Sequence, residues 1–245
     1  MVEFKDVSFA YPGAEEKVLH NISFTAKPGQ TTALIGATGS GKSTIVNLIP
    51  RFYDVTGGSI TIDGKDIRDV YLYDLRKCLG FVPQKANLFT GTIKSNISYG
   101  QTDLTLEDIE KSAEIAQATE FIASKPEGPD APIAQSGTNV SGGQKQRLSI
   151  ARALSKRAPI YIFDDCFSAL DFKTDAALRH ALKRETGEST ILIVAQRIST
   201  IMTAEQIIVL ENGRIVGTGS HRELMKSCAV YQEIAMSQLS KEELA

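Results

Sequence analysis

Gly36-Ala37-Thr38-Gly39-Ser40-Gly41-Lys42-Ser43-Thr44 decides how this chain of 245 residues is read. The run satisfies G-x-x-x-x-G-K-[ST], and its surroundings fit the pattern. Thr31–Ile35 precedes it as an apolar strand, and Thr44–Ile49, helped to close by Pro50, follows as a helix. Glycines let successive backbone N–H groups turn inward around an anion. The helix N-terminus adds a partial positive charge. Lys42 is expected at the β- and γ-phosphates of a nucleotide, and the Ser43 hydroxyl on Mg²⁺. Thr38, Gly39, Ser40, Gly41 and Thr44 complete the expected cradle. The competing reading, a glycine-rich turn with no ligand, does not account for the strand before it and the helix after it.

A metal at Ser43 needs a second ligand group. Ile160-Tyr161-Ile162-Phe163 is a short apolar run of the kind a fully buried strand shows, and it delivers Asp164 at its end. Thr190–Ala195 repeats the pattern, with a helical stretch at Thr174–Glu185 between the two. That alternation predicts a parallel sheet with crossover helices. Ile207–Leu210 and Arg214–Gly217 close the sheet. Toward the N-terminus, residues 2–9 and 18–24 read as strands, and Gly57-Gly58 with Asp63-Gly64 punctuates a hairpin around Ser59–Ile62. The middle changes character: Thr105–Ser124 has helical spacing, Pro126–Pro132 breaks it, and a second helix is predicted from Ser141 to Lys156. The last ~25 residues read as helical and polar.

Composition removes several classes. Lys and Arg number 27 against 29 Asp and Glu, a formal net charge of −2, which disfavours a broad nucleic-acid face. Cys78, Cys166 and Cys228 are odd in number and form no C-x-x-C pair, so neither a disulfide framework nor a zinc site is expected. The apolar runs Ile191–Ala195 and Ile207–Leu210 fall far short of the roughly 18 residues of a spanning helix. The N-terminus has no basic region followed by an apolar one and enters a strand at once, which reads as a chain that starts at a domain edge, either naturally or by excision from something longer.

Val140-Ser141-Gly142-Gly143-Gln144-Lys145-Gln146-Arg147, followed by Ser149-Ile150-Ala151-Arg152-Ala153-Leu154, resembles the signature of ABC ATPases. Read from the residues, Ser141 is a helix N-cap, and Gly142-Gly143 leave a helix N-terminus open to an anion. The whole chain is similar to the nucleotide-binding domain of an ABC transporter. The resemblance implies a P-loop NTPase α/β fold: a RecA-like core with an antiparallel β portion (1–85 and 157–245) and an inserted helical subdomain (86–156). It implies ATP and Mg²⁺ as cofactors. It implies head-to-tail pairing with a second such domain, so that Ser141, Gly142, Gly143 and Gln144 cap ATP held by the partner. Tyr11 matches the aromatic that stacks on adenine, although a strand-end aromatic packed in the core is the alternative. Gln84, in Phe81-Val82-Pro83-Gln84, matches the glutamine that touches Mg²⁺ and the membrane partner, against an ordinary loop amide. Ser168-Ala169-Leu170-Asp171 matches the loop that crosses the dimer interface, with Asp171 also readable as a helix cap. Leu88-Phe89-Thr90-Gly91-Thr92-Ile93 and Asn96-Ile97 resemble multidrug and peptide exporters, in which a membrane domain precedes this one.

The chain departs from that pattern at positions that matter chemically. The residue after the Mg²⁺ aspartate is normally glutamate, the base that polarises the attacking water; here it is Asp165. The switch residue is normally histidine; here it is Gln196, which donates a hydrogen bond but carries no proton at neutral pH. His20, His180 and His221 do not fall at that position. Val140 replaces the usual leucine of the signature, and Ala134-Gln135-Ser136-Gly137 lacks the usual acidic residue. The expectation is an ATP hydrolase domain of a heterodimeric exporter, at the cytoplasmic face of the membrane. Its own site is slow, and its signature completes the partner's. A fully active homodimer is the alternative. Nucleic-acid-associated relatives either interrupt the fold with coiled coils, for which the Lys42-to-Ser141 spacing leaves no room, or carry two domains per chain. A simple P-loop kinase does not account for the signature.

Overall fold

The computed structural model describes residues 1–239; the end of the polar helical stretch expected at the C-terminus, residues 240–245, lies outside them. The chain forms two compact units. The first takes Met1–Leu79, Pro159–Asp165 and the chain from Glu188 onward, and the second takes Gly80–Ala158 and Cys166–Gly187.

In the first unit, strands Arg214–Gly219, Gln206–Glu211, Thr31–Gly36, Thr190–Val194 and Ile160–Asp164 lie side by side in that order. Thr31–Gly36 pairs in parallel with Gln206–Glu211 and with Thr190–Val194, which pairs in parallel with Ile160–Asp164; only Arg214–Gly219 is antiparallel. Every residue of Ile160–Asp164 and Thr190–Val194 is buried, as continuous apolar runs require when both faces of a sheet are covered. Val194 is in register with Leu34 on one side and Asp164 on the other. Gly36, Asp164 and the chain just past Val194 therefore emerge together at the carboxyl ends of adjacent strands, where open parallel sheets place their ligands.

A second sheet of this unit is antiparallel: Leu19–Ala26, Val2–Phe9, Gly57–Ile62 and Lys65–Asp66, in that order. The alternation of residues 2–9 is imperfect for a physical reason. Pairing shifts register between Phe4 and Val7, and Asp6 takes a φ of 47°. That bulge advances the phase by one residue, so Val2, Phe4, Val7 and Phe9 are all buried. The hairpin turn falls at Asp63-Gly64, with φ of 48° and 83°, the primed geometry that matches strand twist.

The second unit is mainly helical. The stretch read from sequence as one helix over 105–124 is two, Leu106–Ile115 and Thr119–Ala123. The break lies at Ala116–Ala118, where Gln117 adopts φ 56°, a left-handed conformation that no helix continues through. Apolar spacing stays in phase across the gap, which is why periodicity alone did not show it. Helix Gly142–Ser155 begins at Ser141, as read from sequence: Ser141 Oγ accepts from Gln144 N at 3.3 Å, and Gln144 Oε1 accepts from Ser141 N at 2.9 Å. Asp171 caps helix Phe172–Glu185 in the same way, its carboxylate accepting from Thr174 N at 2.9 Å and Thr174 Oγ1 at 2.7 Å.

The described chain ends in helices His221–Ser227 and Ala229–Gln238. Tyr231 is fully buried and shares a 2.8 Å hydrogen bond with His221 Nδ1. Burial pushes the Tyr231 phenol up to about 12. Burial, and secondarily the Arg222 charge, hold His221 below its ordinary value. A histidine with a lowered folded pKa contributes stability above its unfolded value, ~6.5, and loses it as pH falls through the folded one. Denaturant unfolding at pH 7.5 and 5.5 should therefore show a larger acid loss in the wild type than in His221→Gln. Equal losses would remove His221 as a source.

Candidate functional site

The first unit gathers the phosphate-loop residues and the two strand-end acids into one cluster. The loop depends on glycine at two positions. A Cβ at Gly36 would stand 2.1 Å from Leu210 O, and one at Gly41, where φ is 99°, 2.6 Å from Leu19 Cδ2. Helix Lys42–Leu48 starts immediately after this turn. The Lys42 ammonium curls back over the loop, donating to Gly36 O at 2.9 Å, Ala37 O at 2.8 Å and Ser40 Oγ at 3.4 Å. Burial lowers its pKa, while the charges of Asp165 and Asp164 oppose that shift. Ala37, Thr38 and Gly39 are exposed at the loop tip, and Ser40 is buried.

Ser43 and Asp164 lie 121 residues apart in sequence, and Ser43 Oγ donates to Asp164 Oδ1 at 2.8 Å. Asp164 is only 4% exposed. Burial raises its pKa and the neighbouring Asp165 adds to the rise; the Ser43 hydrogen bond and the Lys42 charge work against it. A hydroxyl and a buried carboxylate side by side, next to a lysine, are hard oxygen donors of the kind Mg²⁺ takes, and the residues fit a Mg²⁺-nucleotide.

Asp165 is 5% exposed and holds φ 46°, a region that costs a residue with a Cβ roughly 1–2 kcal/mol. Its N–H donates to Val194 O at 3.0 Å, which ties the two strand ends together. Gln196 comes off the second of those ends, and its Nε2 donates to Asp165 Oδ2 at 2.5 Å. Asp165 and Gln196, two of the positions that depart from the family pattern, are thus bonded to each other.

Tyr11 is half-buried. Its hydroxyl shares a 2.9 Å hydrogen bond with Thr44 Oγ1, and its ring lies edge-on to Phe9 and Tyr53, with centroids 4.9 and 5.2 Å away. The bond to Thr44 was not foreseen; two hydroxyls 33 residues apart give no sequence signal. Gln84 and Ser141–Gln144 belong to the second unit. Gln84 is exposed in the segment after strand Leu79–Val82. Gly142 has open space where a Cβ would stand, and at Gly143 the nearest atom, Ala169 O, is at an ordinary 3.5 Å. Nothing within this unit requires glycine there. Sequence reading also missed the brace behind the signature helix. Arg152 donates to Asn96 O and Oδ1, both at 2.7 Å, and to Asn87 O at 2.9 Å. Its guanidinium lies 5.1 Å from the centroid of Phe89, which stacks on Tyr99. In the same unit Asn139 fixes the loop before the signature, accepting from Ala134 N at 2.9 Å and donating to Pro132 O at 2.7 Å.

The ABC transporter family profile matches residues 19–168, from the antiparallel sheet through the phosphate loop and signature to the segment after Asp165. The chain belongs to the ABC transporter family. It is an ABC ATPase domain, and domains of this family bind ATP with Mg²⁺. It is similar to an uncharacterized ABC transporter ATP-binding protein of Mycobacterium tuberculosis, 46% identical over 97% of this chain and 41% of that protein. It is similar to an ATP-dependent lipid A-core flippase of Vibrio vulnificus, 45% identical over 95% of this chain and 40% of the flippase. Among solved structures, a bacterial Atm1-family ABC exporter with ATP bound superposes with a TM-score of 0.94 at 39% identity, over 98% of this chain and 42% of that one. The ABC ATPase fold expected from sequence is the fold found. The chain spans about two fifths of the length of these relatives. Among the described residues, no helix is long and apolar enough to cross a membrane.

Proposed function

We propose that this ABC domain is the ATP-binding part of an exporter half-transporter. In this reading it binds Mg-ATP at a head-to-tail dimer interface, and its own site turns over slowly while its signature completes the site of a different partner domain. It would work at the cytoplasmic face, attached to a transmembrane domain such as its longer relatives have length to carry. The exporter part rests on similarity to a flippase and to an exporter. The slow-site part rests on one observation: the two groups that meet at the water-activating position are the short carboxylate of Asp165 and the uncharged amide of Gln196, Nε2 to Oδ2.

In this reading Lys42 and the loop N–H groups hold the β- and γ-phosphates, and Tyr11 offers its ring to the adenine. Ser43 and Asp164 would hold Mg²⁺. When bound there, the ion would supply neutralisation of the charge that develops on the phosphates. Asp165 is the group that orients the attacking water. One of its oxygens accepts from an uncharged amide, and its side chain is one methylene shorter than the usual base. The glycines of the signature, free of any packing demand inside their own unit, leave the N-terminus of helix Gly142–Ser155 open to a phosphate brought by another domain.

Binding and turnover measured separately test the reading. Mg-ATP should bind and raise the melting temperature by mass action. The kcat of the 245-residue chain should fall well below the ~1–10³ s⁻¹ typical of enzymes. A kcat within that range sinks the slow-site reading and leaves the active homodimer. Failure to bind Mg-ATP sinks the proposal as a whole.

A further inference from the structure

We propose that Gln238, the last residue of the C-terminal helix, is a positioning residue that latches the Gln196 segment from outside the site. The inference rests on the reading of Gln196 given above.

The sheet stops supporting this part of the chain at Ala195, whose N–H donates to Leu34 O at 3.1 Å. Gln196 and Arg197 then cross to a single turn of helix, Ile198–Ile201. Helix N-termini leave orphan N–H groups that a cap side chain usually satisfies, but Arg197, at the cap position here, makes no such bond. Gln238, 40 residues on in the sequence, does it instead. Its Oε1 accepts from Ile198 N at 2.8 Å, and its Nε2 donates to Gln196 O at 2.8 Å. One carboxamide thus spans the Gln196–Arg197 link. Only asparagine and glutamine carry a neutral donor and acceptor in that side-by-side arrangement. With the backbone of Gln196 held, its side chain is directed onto Asp165 Oδ2.

The latch has a rigid base. Helix Ala229–Gln238 buries Tyr231 and Ala235 completely, and it packs against both Ile198–Ile201 and Thr31–Gly36, the strand that runs into the phosphate loop. The same helix therefore touches the element that leads into the phosphate cradle and the element that follows the Asp165 partner. Gln238 itself is exposed. Its bonds compete with water and can open, so their loss should act on the placement of Gln196 far more than on global stability.

Two readouts on the 245-residue chain test this. In the nucleotide-free chain, Gln238→Ala and Gln238→Leu should speed amide hydrogen exchange at Ile198 by about tenfold, the order expected for losing two ordinary hydrogen bonds. Exchange in Thr190–Val194 should not change. In Mg-ATP turnover both variants should lower kcat by about three- to tenfold and shift KM for ATP by less than twofold. In a Gln196→Ala background, Gln238→Ala should cost nothing further, a non-additivity that a merely structural role would not produce. Unchanged Ile198 exchange overturns the proposal. So does faster exchange with unchanged kcat, and so does full additivity with Gln196→Ala. A wild type that fails to bind Mg-ATP sinks the proposed function instead, and the exchange readout, which needs no nucleotide, then decides the latch alone.

Discussion

Replacing Asp165 with glutamate and Gln196 with histidine together should raise kcat of the chain by on the order of 10²–10³-fold. Glutamate extends the carboxylate by one methylene, about 1.5 Å. A misplacement of ~1 Å in a catalytic group costs about 100-fold, and returning it recovers that factor. In the proposed function residue 196 faces the γ-phosphate, and histidine would bring a group that can carry positive charge there, where one transition-state contact is worth ~10²–10³-fold. The two gains will not multiply. Gln196 and Asp165 are bonded at 2.5 Å and, in the proposed function, serve one step, so the double variant should sit near the larger single gain. The positive φ of Asp165 is set by the backbone, with its N–H held on Val194 O, and glutamate inherits it. KM for ATP should stay within a few-fold, because Lys42, Ser43 and the loop are untouched. Steady-state ATPase kinetics on the wild type, both single variants and the double variant decide the matter. A double variant no faster than the wild type means that neither departure limits the site.

What sequence could and could not show follows from the range of each interaction. The phosphate loop, the Ser141 cap and the Asp164 strand are local patterns. Each is written within about ten residues, and each appears in the structure where the pattern put it. The meeting of Ser43 with Asp164 was also legible, because two ordinary strands in one parallel sheet bring their carboxyl ends together. The bulge at Asp6 and the break at Gln117 were not. Both are single residues in left-handed conformation, and neither is glycine, so composition carries no warning. The Gln238 latch was least legible of all. A polar residue at the end of a surface helix looks like any other until the fold brings it to a backbone 40 residues away.

Replacing Asp164 with asparagine should move stability and activity in opposite directions. The site buries two adjacent carboxylates, Asp164 at 4% and Asp165 at 5% exposure, against the single ammonium of Lys42. Burial comes first among the causes that raise the Asp164 pKa, and Asp165 adds to it. A raised folded pKa means that the folded chain holds this proton more tightly than the unfolded one. Its charged form is then a net cost that grows as pH rises from the ordinary carboxylate range through the raised value. Asparagine removes the charge, keeps an oxygen to accept from Ser43, and fits the same volume. The nucleotide-free variant should be more stable than the wild type at pH 7, read as a higher denaturation midpoint. The gain should shrink as pH falls into the ordinary carboxylate range, where the wild type binds the proton. The same change should lower Mg-dependent turnover by at least 10²-fold and abolish the extra thermal stabilisation that Mg²⁺ adds to ATP, because a neutral amide is a far poorer ligand for a hard cation. A variant that loses activity and stability together would show that the Asp164 charge is already compensated inside the fold. In that case the carboxylate would be holding the strand end in place.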